Sequence, residues 1–146
     1  MGDATLPGVG VVITDDSKSQ FYIQQKDETY PVPEYRHLYS FFGGSIEPGE
    51  DELGALEREL GEELNHESAR TIVQAVKKIG DFAVSTGNIE FSYTLFEAKL
   101  PLDYLNLLKE IVVKEGRGFL MTKEEFAHLE FIWKLDGVRD FYLAHQ

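Results

Sequence analysis

The sequence predicts a layered α/β domain, and three features carry that reading. Short β-branched or alternating runs bounded by turn residues recur along the chain, a glycine-flanked segment has helical apolar spacing, and a second helical signal follows the last extended run. Strands mixed with two or three helices bury their apolar faces against one another as stacked layers. The 146 residues are the size of one domain, with no repeat, low-complexity tract or linker to divide them. Residues 1–146 are therefore read as a single unit.

In order along the chain, residues 9–14 are apolar and β-branched and read as a buried strand. Asp15, Asp16 and Ser17 form a turn, and residues 20–25 are the partner strand, with Phe21 and Ile23 facing inward. Residues 26–37 carry Pro31 and Pro33 and form an irregular loop, and residues 38–42 are a short, largely apolar strand. Gly43, Gly44, Pro48 and Gly49 break the pattern. Residues 51–64 then read as a helix with an apolar stripe of Leu53, Leu56, Leu60 and Leu64. Residues 71–85 and 89–99 are strand candidates joined by a turn at Thr86, Gly87 and Asn88. Residues 111–121 are extended, interrupted by Gly116 and Gly118. Thr122 and Glu125 form a capping box that opens a second helix, with Phe126, Leu129 and Trp133 as its apolar face. Asp136 and Gly137 divide that helix from a final turn.

Composition excludes several functions. Acidic residues outnumber basic ones 26 to 14, for a net charge of -12, and no basic run appears, which argues against duplex DNA or RNA as a partner. A small polyphosphate is different, because divalent cations bridge it to carboxylates. The absence of cysteine rules out disulfides, thiolate zinc sites and a cysteine nucleophile. The opening MGDATLPGVG lacks the basic flank and apolar core of a signal peptide, and Leu6 breaks the myristoylation pattern. No segment approaches the length of a membrane span, so a soluble protein of the cytoplasm is expected. A homodimer is compatible with the chain, but no pattern demands one.

The densest signal is GGSIEPGEDELGALERELGEELNH, residues 43–66, with seven glutamates following the Gly43–Gly44 pair. Successive helical residues turn by about 100°, so Glu59, Glu62 and Glu63 fall within an arc of roughly 100° beside the leucine stripe. Like charges so placed repel, and a hard divalent cation with oxygen ligands relieves the repulsion; Mg²⁺ or Mn²⁺ suits carboxylate plus phosphate better than zinc. The structural alternative is a solvated acidic helix face. Two details favour a site. The Gly43–Gly44 pair permits close backbone approach to a ligand, and the carboxylates flank the buried stripe, where they line a groove.

Gly44, five residues, Glu50, seven residues, then Arg58–Glu59–Leu60–Gly61–Glu62–Glu63 resembles the Nudix box of the Nudix hydrolases. The match covers residues 44–66 and its spacing is specific. Two positions depart from the family pattern: Asn65 replaces a usual glycine and His66 a usual apolar residue. Asn tolerates the left-handed conformation expected at a helix C-terminus, so Asn65 is a mild change; His66 has no such account.

The resemblance implies a Nudix-like α/β/α sandwich with a mixed β-sheet, and hydrolysis of a nucleoside diphosphate linked to another group. It implies Glu59, Glu62 and Glu63 as metal-binding and catalytic carboxylates, the carbonyl of Gly43 as a further ligand, and Mg²⁺ or Mn²⁺ as cofactor. Glu59 has the alternative role of orienting or deprotonating the attacking water. Arg58 and Glu50 resemble a supporting ion pair, with Arg58 counted among the catalytic group. An additional acidic residue from a later loop is usual; Glu115, in KEGRG, is preferred to Glu97 because glycines follow it. Substrate-binding candidates are Arg36, Phe42 and Gly44, together with Tyr22, Phe41 and Phe82. Strand or core packing is the simpler reading for Tyr22, Arg36, Phe41 and Phe82, as it is for Trp133. His37, His128 and His145 lack metal-ligand spacing.

Subclass markers of the family are mostly absent. No proline lies between Pro48 and Pro101, where ADP-ribose hydrolases carry one, and Phe82 is the nearest aromatic to the tyrosine of dinucleoside polyphosphate hydrolases. Zinc-binding cysteines and the upstream coenzyme A signature are missing too. The expected substrate is a small nucleotide, either a nucleoside triphosphate or a nucleotide sugar. The rival readings are a diphosphate isomerase, which relies on a cysteine this chain lacks, and a non-catalytic sensor of nucleotide derivatives.

Overall fold

Strand β1, Gly8–Thr14, is buried along its whole length, and the other elements are arranged around it. This computed structural model describes residues 6–87 and 89–145; Asn88 of the expected turn, like the first five residues, lies outside the described residues. β1 pairs in parallel with β6, Glu90–Lys99, on one edge. Its other edge is shared: β4, Phe42–Ser45, runs antiparallel beside Gly8 to Val11, and β2, Gln20–Lys26, joins at Ile13 and Thr14. β2 also pairs with β3, Tyr39–Ser40, and β7, Gly116–Thr122, while β5, Val76–Ser85, is antiparallel to β6. The result is a seven-stranded mixed sheet.

Side-chain alternation divides the core into two layers. Val9, Val11 and Ile13 face helices α1, Glu52–Glu63, α2, His66–Gln74, and α3, Leu102–Leu108. Val12, Phe21 and Ile23 face α4, Lys123–Phe126, and α5, Asp136–Ala144. Helices on both faces make the α/β/α sandwich. Among the described residues no helix is long and apolar enough to cross a membrane.

Several expected elements differ. Residues 71–74 belong to α2 rather than to a strand: the side chain of Asn65 accepts the amide hydrogen of Ser68 as an N-cap, and Ala69 and Ile72 are buried, overriding the β-branched run. Asn65 is extended, with φ -164°, so it is not a left-handed helix end. His66 starts α2, and a Cβ on Gly61 would meet its Nδ1 at 2.7 Å, so glycine in the box makes room for the imidazole. Residues 38–42 divide into β3 and β4, because Ser40 pairs with β2 and Phe42 with β1. Helix α3 had no counterpart in the sequence reading, and only Gly116 onward of the expected 111–121 stretch is strand. The Thr122–Glu125 capping box is present, but α4 is a single turn. A 3₁₀ turn, Ile132–Lys134, follows it, with Trp133 and Lys134 at positive φ, so Phe126, Leu129 and Trp133 share no helix face. In α1 the buried face is Ala55, Leu56, Leu60 and Glu63; Leu53 is 43% exposed.

Candidate active site

Because β4 and β2 take successive parts of one β1 edge, they diverge, and the C-terminal turn of α1 spans the gap. Glu63 ties the two strands together. Its Oε1 accepts the amide hydrogen of Gly43 on β4 at 2.9 Å, and its Oε2 accepts from the Gln24 side chain on β2 at 2.7 Å. Gly43 has φ +141°, and a Cβ there would lie 2.1 Å from the carbonyl oxygen of Val9. At Gly44 a Cβ would fall 2.5 to 2.7 Å from the carboxylate atoms of Glu59. The glycine pair therefore admits β1 and Glu59, not only a ligand.

Arg58 organises the other carboxylates. It grips both oxygens of Glu50, at 2.7 and 3.0 Å, reaches Glu59 at 2.9 Å and Glu62 at 3.4 Å, and donates to the carbonyl of Ser45 at 2.9 Å. That guanidinium, with the amide of Glu47, holds the Glu50 carboxyl down at about 2. Burial pushes Glu59 up in spite of Arg58. Burial also lifts Glu63 to about 7, outweighing Lys26, Gln24 and the Gly43 amide, all of which favour its charged form.

Glu59, Glu62, Glu63, Gly43, Gly44 and Glu115 line one cavity of about 190 Å³, together with Lys26, Tyr30 and Lys114. Glu115 reaches it from the loop before β7, at φ 59°; the glycines after it lie in the strand itself. Glu97 lies elsewhere. It is 1% exposed in the opposite layer, accepting from the Tyr142 hydroxyl at 2.5 Å and facing Lys18 at 3.3 Å. A second, apolar pocket adjoins the cavity through Lys26, Tyr30, Gly43 and Gly44, and is walled by Phe41, Tyr93, Ile132, Trp133 and Leu135.

Other candidates are displaced. Arg58 stands outside the cavity and positions the carboxylates that line it. Arg36 lines neither space; its Nε donates to the carbonyl of Tyr30 at 2.7 Å and braces the loop carrying that ring. Phe42 is fully buried on the α1 side, stacked on Tyr22 at 4.9 Å, so it is core and not a substrate contact. Tyr22 is core as well, its hydroxyl donating to the carbonyl of Leu108. Phe82 packs on Phe141 at the far side of the domain. Trp133 is half-buried and walls the apolar pocket rather than filling a helix face.

Gln24, Lys26, Tyr30 and Lys114 escaped the sequence reading. One signal was present: in QFYIQQK, Tyr22, Gln24 and Lys26 alternate onto the face directed at α1, so that face turns polar toward the end of β2. Tyr30 and Lys114 come from loops, where no periodicity applies.

The model of the NUDIX domain matches residues 4–130. The chain belongs to the Nudix family. No curated protein matches the sequence. Among solved structures of Nudix type, the fold is similar to that of the Escherichia coli dihydroneopterin triphosphate pyrophosphohydrolase, at 17% identity and a TM-score of 0.67, over 97% of this chain and 99% of that one. It is similar to the NUDIX domain of Shewanella oneidensis NrtR complexed with ADP ribose, at 11% identity and 0.68, over 97% and 88%. A Caenorhabditis elegans Ap4A hydrolase gives 18% and 0.59, over 96% of each chain.

Nudix hydrolases use divalent cations, and the donor set here can be tested for one. The acidic groups lining the cavity offer oxygen ligands, with no histidine among them, which suits a hard cation. Among the described residues no three such side chains already converge on a point. Arg58 holds Glu59 and Glu62, while Gln24 and Gly43 hold Glu63. The residues fit a divalent cation in kind, and binding one means exchanging these partners.

Proposed function

We propose that this Nudix protein hydrolyses a pyrophosphate bond in a nucleoside diphosphate derivative, a nucleoside triphosphate or a nucleotide sugar, by attack of water at phosphorus. The observation that carries the reading is the single cavity in which the box carboxylates meet Glu115 and open onto an aromatic pocket. Glu59, Glu62 and Glu63, with the carbonyl of Gly43, would hold Mg²⁺ or Mn²⁺. When bound, the cation neutralises the pyrophosphate and lowers the pKa of a bound water.

The chain's own residues supply the remainder. Arg58 fixes Glu59 and Glu62 against Glu50, and Glu115 faces them across the cavity. Burial raises the proton affinity of Glu59 and Glu63 in the metal-free chain, and Glu59 has the alternative role of orienting or deprotonating the attacking water. Tyr30, Phe41 and Trp133 line the pocket beside the carboxylates, on the side where the base or another planar group would lie with its phosphates toward Glu59, Glu62 and Glu63. No covalent enzyme intermediate is required.

The test is a panel of nucleoside diphosphate derivatives with Mg²⁺ or Mn²⁺, scored by identified products. Turnover that disappears with chelator supports the proposal. Tight binding without turnover of any compound would make the protein a sensor.

A further inference from the structure

Lys26 is an unusual neighbour for a cation site. It is 8% exposed at the end of β2, and buried lysines are rare unless paired. Its Nζ lies 3.9 Å from Glu63 Oε2, 3.1 Å from Gln24 Oε1 and 4.9 Å from the centre of the Tyr30 ring. The Gln24 amide already donates to the same Glu63 oxygen at 2.7 Å, so the ammonium acts on Glu63 through charge at a distance. We propose that Lys26 is the resident counter-cation of Glu63, and that a divalent ion entering the cavity displaces it. The inference rests on the metal-dependent reading above and adds a competitor to it.

Two arguments support displacement. A doubly charged ion bound by Glu59, Glu62 and Glu63 supplies the charge compensation that the ammonium now supplies, and it repels the ammonium at close range. The structure also holds an alternative seat. Lys26 borders a third cavity, of about 90 Å³, walled by Gln25, Asp27, Glu28, His37 and Arg117, which sets two carboxylates beside one guanidinium. A short movement of the flexible lysine stem would carry the ammonium from Glu63 toward Glu28 and toward Asp27, which Arg117 already neighbours. In the absence of metal, Lys26 keeps a buried carboxylate from standing uncompensated, and the cavity stays assembled.

Linkage makes the idea measurable, because a group that competes with an ion lowers the ion's affinity. Manganese binding to the full chain, followed by calorimetry or by the free-ion paramagnetic resonance signal, is compared for the wild type, Lys26→Met and Lys26→Gln. Removing the competitor is expected to tighten Mn²⁺ binding by about tenfold, and Mn²⁺ is expected to raise the thermal midpoint of either variant more than that of the wild type. Unchanged or weaker Mn²⁺ affinity in a folded variant overturns the inference. If the wild type binds no Mn²⁺, the metal-dependent reading falls with it; binding that is indifferent to Lys26 removes only the lysine's role. A second measurement needs no variant. Amine acetylation mapped by mass spectrometry is expected to label Lys26 faster when Mg²⁺ is present, and equal labelling overturns the displacement.

Discussion

Arg58 holds Glu50 through two parallel bonds, Nε to Oε2 at 2.7 Å and Nη2 to Oε1 at 3.0 Å, across eight residues of chain. The same guanidinium reaches Glu59 through its remaining arm. A planar fork can do both at once, and an ammonium cannot. Arg58→Lys is therefore expected to lower kcat by about tenfold, or about 1.4 kcal/mol of barrier, with little change in stability because the pair lies near the surface. Steady-state kinetics and chemical denaturation check it; an unchanged kcat removes Arg58 from the positioning role.

Glu59→Gln and Glu63→Gln test the proposed ligands. Each is expected to reduce Mg²⁺-dependent turnover by about a hundredfold or more while preserving the fold, since each removes charge from the place where the cation is held. Kinetics and circular dichroism on the same samples decide the matter. A loss below about tenfold would count against the assigned roles.

Glu115 enters the cavity from a loop remote in sequence from the box. Glu115→Gln keeps its size and removes its charge, and roughly a tenfold loss of kcat is expected. Activity equal to that of the wild type would assign Glu115 to the surface of the loop alone.

The pH dependence of the metal-free protein should carry the signature of Glu63. Burial raises its folded-state pKa to about 7, so between the ordinary glutamate value and 7 the folded chain binds more protons than the unfolded one. Its contribution is fully present below the unfolded pKa and is lost as pH rises through 7, by up to about 3 kcal/mol. Lys26 and Gln24 on β2, the Gly43 amide and Glu59 on α1 are the groups that tune it. Denaturation of wild type and Glu63→Gln in chelator, from pH 4.5 to 8, should show a declining difference only across that window; parallel curves would refute the shift.

Asn65 is a matter of stability. Its side chain caps α2 at the Ser68 amide, so Asn65→Ala is expected to cost about 1 kcal/mol in urea denaturation and to leave kcat unaltered. Lost activity at full stability would mean that the residue serves the site.

The helical edge bearing Glu59, Glu62 and Glu63 was legible from spacing alone, because a helix relates residues three and four apart by local geometry. The same holds for the buried Leu56 and Leu60 and for the Thr122–Glu125 capping box, whereas Asp51, read as helical, is the N-cap of α1. The strands around β1 were readable as apolar runs, although α2 was hidden behind Thr71, Ile72 and Val73, whose β-branching masks the cap that starts it. Tertiary pairing decided the rest. Phe41 and Phe42 are adjacent and both buried. Yet Phe41, between β3 and β4, packs in the layer of α5 and walls the pocket while Phe42 stacks in the layer of α1, because successive residues of extended chain take opposite faces of the sheet. Lys26, Tyr30 and Glu115 meet the box carboxylates, and Trp133 the adjoining pocket, only through the parting of β2 from β4 and through loops that close on that gap. Such meetings depend on contacts between segments far apart in the chain, and no local periodicity encodes them.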